Sequence, residues 1–456
     1  MYFQQFYLTC LSHASYMLGS EGVAVVVDPQ RDVSLYIDEA AAQGLKIEHV
    51  IETHLHADFV SGHRELAERT GAKIYLGARA GATFPHVDVR DGDEVHFGRV
   101  VLRFLETPGH TIESISIAVT DLDRRENPYA VLTGDTLFIG DVGRPDLAPD
   151  LTPQQLAGML FDSLHQKLLP LGDDVEVYPA HGAGSLCGKQ MRPERQSTIG
   201  KERALNYALR PQSKEEFVRL LTAELPERPG YFALDAELNR SGAPALSEME
   251  VLPELTAIPA GAIVLDTRPS QQFFAGHIPG AVHIALGGQY ASFAATILGL
   301  DKEILLVAED EEQLEESRLR LARVGIERVV GSLKGGMQEW TGPVAEIHQI
   351  SVEDLRREIA DVQVVDVRRE GEFAEGHIEG AKLMPLHKLE LMVETLDHDR
   401  PIAVHCKGGY RSAIGCSLIQ RAGFENVMNV MGGFDAWVAC GMAKIPGLTP
   451  GVITHD

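Results

Sequence analysis

In residues 1–240, short aliphatic and β-branched runs alternate with helix-like stretches. Val23–Asp28, His49–Thr53, Ile74–Leu76, Val100–Leu105, Ile115–Val119, Ala130–Thr133 and Glu176–Tyr178 end in turn or polar residues, which predicts strands. Ser34–Gln43, Gly62–Arg69 and Thr152–Leu169 predict helices. In the last, Thr152 can cap, and Pro153 sits where its missing N–H costs nothing. Ser213–Leu225 opens with S-x-x-E and carries Phe217, Leu220, Leu221 and Leu225 on one stripe. Asn239–Gly261, rich in Pro, Ala, Gly and Ser, reads as a linker.

The remainder contains an internal repeat. Asp266, Arg268, Phe273, Gly276, His277, Ile278, Gly280 and Ala281 recur, at a constant offset of 100, from Asp366 to Ala381. Gly335-Gly336 followed by Trp340 answers Gly432-Gly433 followed by Trp437. Two copies of one small α/β domain are expected after the N-terminal domain, with boundaries at 1–240, 241–345 and 346–456.

Composition narrows the function classes. The chain has 456 residues, 44% hydrophobic and 23% charged, which is ordinary for globular domains. With Lys and Arg at 41 against Asp and Glu at 66, the formal net charge is −25. Such a field opposes binding to nucleic acid or an anionic membrane, so neither is expected as a partner. The five cysteines are too few and scattered for a disulfide framework and fit a reducing cytoplasm. No signal-peptide pattern opens the chain, and no apolar run reaches the ~18 residues of a membrane span. A soluble cytoplasmic protein is expected.

Several predicted strands end in metal-type ligands. His54-Leu55-His56-Ala57-Asp58 follows one strand; Pro108-Gly109-His110, Gly134-Asp135 and Pro179-Ala180-His181-Gly182 follow others. A lone histidine is more often a core or surface residue. Recurrence at successive strand ends is how a sheet gathers a metal site from distant sequence. In the second repeat, the strand Ile402–His405 runs into Cys406-Lys407-Gly408-Gly409-Tyr410-Arg411-Ser412 and then a helix. A thiol there faces backbone N–H groups and a helix N-terminus, which favour thiolate, and Arg411 adds positive charge. Cys416 and Cys440 lack such surroundings and read as core thiols. The first repeat has Leu306-Val307-Ala308-Glu309-Asp310 at the matching place, so Ala308 or Glu309 replaces the nucleophile. That copy is expected to be catalytically inactive and to serve packing or docking.

H-x-H-x-D, P-G-H, G-D and A-H-G together resemble the metallo-β-lactamase superfamily, which implies an αββα sandwich. The two-metal members carry a further histidine directly after the aspartate, and Phe59 stands there. An apolar ring cannot ligate, so one metal is expected. His54, His110 and Asp135 match the iron ligands of the persulfide dioxygenase branch, with His56, Asp58 and His181 orienting ligands or bound water. Two further segments, around Gly140-Asp141-Val142-Gly143-Arg144-Pro145-Asp146 and His181–Lys189, resemble persulfide dioxygenases fused to rhodanese domains. Arg144 then either holds a substrate carboxylate or fixes its loop through Asp146. Cys187 either faces the pocket to carry sulfur or is a buried inert thiol. The Cys406 loop with the upstream D-x-R and G-H-I-x-G-A resembles the rhodanese family. That implies Cys406 as nucleophile, Arg411 closing the cradle, and Lys407, Gly408, Gly409 and Tyr410 contacting the anion.

The whole chain is similar to persulfide dioxygenase–rhodanese fusions of the CstB type. The resemblance implies one Fe(II) per chain with O2 as co-substrate, and oxidation of a thiol persulfide to sulfite and thiol. The thiol would be of the glutathione, coenzyme A or bacillithiol kind. It also implies sulfur transfer through Cys406 to sulfite, giving thiosulfate, and a homo-oligomer. Three alternatives stay open: a zinc thioester hydrolase with a rhodanese passenger, a non-catalytic persulfide carrier or sensor, and uncoupled halves with sulfite released and Cys406 serving another acceptor.

Overall fold

A computed structural model describes residues 1–211, 213–223, 225–246 and 251–445, so 247–250 of the predicted linker and 446–456 of the third domain lie outside it. Contacts divide the chain into two units: residues 1–250 with 319–326, and the rest of 251–456.

The first unit holds two six-stranded sheets. One runs in chain order through β1 (Tyr2–Leu8), β2 (His13–Ser20), β3 (Val23–Val27), β4 (Lys46–Ile51), β5 (Lys73–Gly77) and β6 (Val87–Val89). The other contains β7 (Glu94–Phe97), β8 (Val100–Glu106), β9 (Ile115–Asp121), β10 (Ala130–Gly134), β11 (Glu176–Pro179) and β12 (Ser197–Thr198), in spatial order β12-β11-β10-β9-β8-β7. Val25 and Val27 join Phe104, Ile117 and Leu132 in the core between the sheets. Their neighbours Ala24 and Val26 face Tyr36, Ala40 and Leu66 of the helices Ser34–Ala42 and His63–Thr70. Both faces of β3 are covered, which is why it reads as an unbroken apolar run. On the far side, Val131 and Val177 pack against Leu160, Phe217 and Leu221 of the helices Pro153–Ser163 and Lys214–Thr222. The αββα sandwich expected from the sequence is present.

Local signals worked as physics requires. Thr152 accepts from the Gln155 N–H and Gln155 reaches back, closing a capping box in front of Pro153. Ser213 caps its helix through the Glu216 N–H, but Leu220 points to solvent rather than joining the stripe. β1 and β2 go beyond the strands the pattern predicts: β2 is buried throughout and carries no sustained polar–apolar alternation. The predicted linker is partly element. The helix Phe232–Ser241 takes in Asn239, and Glu254–Leu255 forms a strand.

The second unit repeats one sheet. β13 (Glu254–Leu255), β14 (Ile263–Asp266), β15 (Val282–His283), β16 (Ile304–Val307) and β17 (Val329–Leu333) pair in the order β13-β17-β16-β14-β15. β18 (His348–Ile350), β19 (Gln363–Asp366), β20 (Lys382–Leu383), β21 (Ile402–His405) and β22 (Val427–Val430) pair as β18-β22-β21-β19-β20. Every pairing in both is parallel. In each copy the D-x-R arginine grips its aspartate and the glycine carbonyl eight residues on (Arg268 to Asp266 and Gly276, Arg368 to Asp366 and Gly376). These pairs brace the loop after the first long strand.

Candidate metal centre and thiol loop

Three strand ends in the first unit bring His54, His110 and Asp135 together, with potential ligand atoms within 4.8 Å of one another. Asp135 Oδ2 lies 3.3 Å from His110 Nε2 and 3.8 Å from His54 Nε2. All three side chains are buried, and these three atoms have no hydrogen-bond partner. The other ring nitrogens explain why. His110 Nδ1 donates to the Arg144 carbonyl at 3.0 Å. His54 Nδ1 donates to Thr53 Oγ1 at 3.0 Å, whose own proton goes to Asp28. Both Nε2 atoms therefore present lone pairs toward a carboxylate oxygen, an arrangement that fits a cation and is costly without one. Gly143 makes this closure possible, since a Cβ there would stand 2.0 Å from the Asp135 carbonyl oxygen and 2.8 Å from His110 Nδ1.

His181 bridges two carboxylates: Nδ1 donates to Asp135 Oδ1 at 2.8 Å, and Nε2 stands 3.1 Å from Asp58 Oδ2. Burial alone would lower its pKa, but Asp135 and Asp58 raise it well above the usual histidine value. Burial likewise would raise Asp135, yet His181, His54 and His110 hold it well below the carboxylate range. Burial, helped by the neighbouring His56, lowers His54 well below the usual histidine value, and burial lowers His110. His56 Nε2 lies 3.3 Å from Asp28 and 3.6 Å from Glu52, with its ring 4.1 Å from that of His54.

Three other ligand-type groups among the described residues meet the same distance test: His56, Asp58 and His181; Asp135, His181 and Cys187; and Asp28, Glu52 and His56. Cys187 is thus beside the centre and buried. Burial first, then the charges of Asp58 and Asp135, push its thiol well above the ordinary cysteine value. Phe59 is fully buried, its ring 4.4 Å from that of His56 and 4.1 Å from that of His13.

Arg144 is already engaged. Its guanidinium donates to both Asp146 oxygens at 2.7 and 2.9 Å, to the Leu186 carbonyl, and to the Pro226 carbonyl at 2.6 Å. Its backbone N–H donates to the Cys187 carbonyl at 3.0 Å.

The sequence did not point to two residues here. His13 on β2 is buried 5.4 Å, ring to ring, from His181. Asn239, assigned to the linker, donates to the His56 and Phe59 carbonyls at 2.7 Å each and accepts from the Ser61 N–H at 2.8 Å. It pins the histidine-bearing loop. Only the missed strand and the mistaken linker hid them.

In the second unit, Cys406 directly follows β21. Its buried Sγ receives the Gly409 N–H at 3.1 Å and lies 3.6 Å from Ser412 Oγ, which in turn bonds Asn429 at 2.7 Å. Gly433 comes so close that a Cβ would stand 2.5 Å from the Cys406 carbonyl, and its φ of +57° suits glycine. Lys407 and Gly408 are exposed on the loop. Arg411 is held by Glu372 through bonds of 2.6 and 2.8 Å. Burial would raise the Glu372 carboxyl, but Arg411 and the Arg369 N–H bring it down to about 2. The Tyr410 hydroxyl donates to the Ala285 carbonyl at 2.7 Å rather than facing into the loop. Cys416 is buried, its thiol raised by burial. Cys440 is not a core thiol: it is exposed and bonds Glu353 at 3.2 Å.

In the first copy, Val307 pairs with Asp266 as His405 pairs with Asp366. Ala308 therefore holds the Cys406 place, and Glu309 lies one residue beyond, bonded to Gln272 and Gln313.

Comparison with known proteins agrees with this architecture. Residues 8–181 match the Metallo-beta-lactamase superfamily, and residues 253–343 and 351–440 each match the Rhodanese-like domain. The human "Persulfide dioxygenase ETHE1, mitochondrial" is 32% identical over 215 residues, 45% of this chain and 75% of that protein. The "Hydroxyacylglutathione hydrolase" of Brucella anthropi is 32% identical over 233 residues, 48% of this chain and 80% of that protein. Among solved structures, the "Metallo-beta-lactamase" of Staphylococcus aureus subsp. aureus COL is 32% identical, with a TM-score of 0.67. That match covers 73% of this chain and 98% of that one. No helix among the described residues is long and apolar enough to cross a membrane. The chain belongs to the metallo-β-lactamase superfamily, as a fusion of a domain homologous to persulfide dioxygenases with two rhodanese-like domains.

Proposed function

We propose that this chain is a bifunctional sulfide-oxidation enzyme. Residues 1–240 would oxidise a low-molecular-weight thiol persulfide with O2 to sulfite and free thiol. Residues 346–456 would transfer sulfur through Cys406 to sulfite, giving thiosulfate, while 241–345 would carry no catalytic thiol. The observation that carries the first activity is the buried convergence of His54 Nε2, His110 Nε2 and Asp135 Oδ2, all without partners. Two imidazoles and one carboxylate with open positions are the donor set of non-haem Fe(II) oxygenases. Fe(II) held there would supply a centre at which O2 and a soft sulfur substrate react together.

The protein's own residues do the positioning. Thr53 and the Arg144 carbonyl fix the two histidine tautomers. His181 donates its Nδ1–H to Asp135 and holds Nε2 3.1 Å from Asp58, which supports an orienting role. Phe59 supports the single-ion reading. Arg144, spent on Asp146, Leu186 and Pro226, supports the loop-fixing role, with Cys187 buried beside the metal centre.

In the transferase step, Cys406 thiolate attacks the outer sulfur of a persulfide. The substrate's S–S bond breaks, its thiol leaves, and Cys406 becomes a persulfide. Sulfite then attacks the outer sulfur, thiosulfate departs, and the thiolate returns. Joining both activities in one chain raises the local sulfite concentration.

The hydrolase likeness and the His56–Asp58–His181 group favour one rival, a zinc thioester hydrolase. Anaerobically prepared protein should be assayed for iron and zinc, then given glutathione persulfide or a glutathione thioester. The proposal expects iron, O2 uptake with the persulfide, and no thioester cleavage. Zinc with thioester cleavage would replace it with the rival.

A further inference from the structure

Among the described residues the first rhodanese-like copy has no thiol at Ala308, yet it grips the helix that follows Cys406 along its whole length. That helix, Tyr410–Arg421, begins directly after Gly409, the residue whose N–H meets Cys406 Sγ at 3.1 Å. At its first turn the Tyr410 hydroxyl donates to the Ala285 carbonyl at 2.7 Å, and its ring lies 5.8 Å from that of Phe293. Midway, the His283 N–H donates to Ser417 Oγ at 3.0 Å. At the last turn Arg421 donates to the Gly280 carbonyl at 2.7 Å, and Gln420 Oε1 lies 3.1 Å from His277 Nε2. Gly280, His283, Ala285 and Phe293 all belong to the first copy, in the segment around and after β15.

We propose that the thiol-free copy is a bracket for the transferase loop, and that Tyr410 is a positioning residue through which the Ala285–Phe293 segment sets the Gly409 N–H against Cys406. The inference rests on the reading of Cys406 as the reactive thiol. A hydrogen bond to sulfur stabilises the thiolate and the persulfide anion over the protonated forms. Its strength falls steeply with distance and angle. A loop whose two glycines carry no side-chain packing needs an external anchor to hold that geometry, and the phenol supplies one immediately next to the donor. This gives the Cys-free copy a task that needs its backbone carbonyls and one aromatic ring, not a nucleophile. It also accounts for a tyrosine in a loop where any small residue would leave room for an anion.

The test is the rate of Cys406 alkylation by iodoacetamide in the full-length protein from pH 5 to 9, read by mass spectrometry of the Cys406 peptide. Tyr410→Phe keeps the ring and removes one hydrogen bond. It should raise the apparent thiol pKa and slow the reaction at pH 7 about fivefold, the factor that one typical hydrogen bond represents. Phe293→Ala, on the first copy, should shift the profile in the same direction, with O2 uptake on persulfide unchanged in both variants. Profiles within twofold of wild type for both would overturn the bracket. If Tyr410→Phe does not fold, Phe293→Ala decides by the same two outcomes. Alkylation does not depend on the transferase reaction. Failure of the broader reading would show separately, as unchanged thiosulfate output from Cys406→Ser.

Discussion

His110 donates its Nδ1–H to the carbonyl of Arg144, whose own N–H donates to the carbonyl of Cys187, both at 3.0 Å. One residue thus ties a proposed iron ligand to the loop that carries the neighbouring thiol. Removing the ligand itself is the harsher test. His110→Ala should abolish iron retention and O2 uptake together, measured by metal analysis and an oxygen electrode. A variant that consumed oxygen without iron would refute the assignment.

Arg144→Ala acts one step out. It deletes a guanidinium that is 4% exposed and leaves Asp146, 17% exposed, without its partner. We expect a stability loss of about 2 kcal/mol by denaturant unfolding, below the range for fully buried pairs because Asp146 meets some solvent. Freeing the loop should also weaken iron affinity by roughly 10- to 100-fold, the usual cost of losing a residue that orients ligands. Unchanged iron affinity with a raised KM for persulfide would instead assign Arg144 to the substrate.

His283 gives the second unit an acid-sensitive element. Its Nδ1–H donates to the Asp266 carbonyl and Nε2 accepts from Ser270, each at 3.0 Å, so the neutral ring is satisfied. Burial first, against the pull of Asp266, lowers its pKa from 6.5 to about 4. The unfolded chain therefore binds the extra proton between these values. This contribution to stability is constant above pH 6.5 and falls as pH drops toward about 4, by up to about 1.4 kcal/mol per pH unit. His283→Leu copies the residue at Leu383 in the second repeat. It should flatten that part of the stability curve; an equally steep acid slope would assign it to other groups.

Glu309→Gln should leave turnover within about twofold, as expected for a surface substitution away from the machinery. Its carboxylate accepts from Gln272 and Gln313, and it sits one residue past the Cys406-equivalent Ala308. A large loss of thiosulfate formation in a folded variant would give the first copy a chemical role.

The sequence revealed what strand ends deliver. His54, His110, Asp135 and His181 each follow a strand whose short β-branched run is locally recognisable, so their convergence could be expected before it was seen. The repeat was equally legible, and parallel pairing resolved the one-residue ambiguity in favour of Ala308. Contacts across long separations were not. Asn239 bonds His56 from 183 residues away, within a stretch whose composition suggested a linker. His13 reaches His181 through an isolated bridge at the end of a strand with no periodicity. The grip of Glu372 on Arg411 and the exposure of Cys440 are likewise tertiary facts. Period and spacing specify elements and their ends; which partner crosses the core to meet them is decided by packing.

The most direct measurement is the ratio of O2 consumed to sulfite formed by the iron-loaded Cys406→Ser protein given glutathione or coenzyme A persulfide. Equal amounts, with free thiol released in step and thiosulfate no higher than in a protein-free control given the same persulfide and sulfite, are predicted. Thiol release without oxygen uptake, or thiosulfate output equal to the unsubstituted protein, would contradict the account.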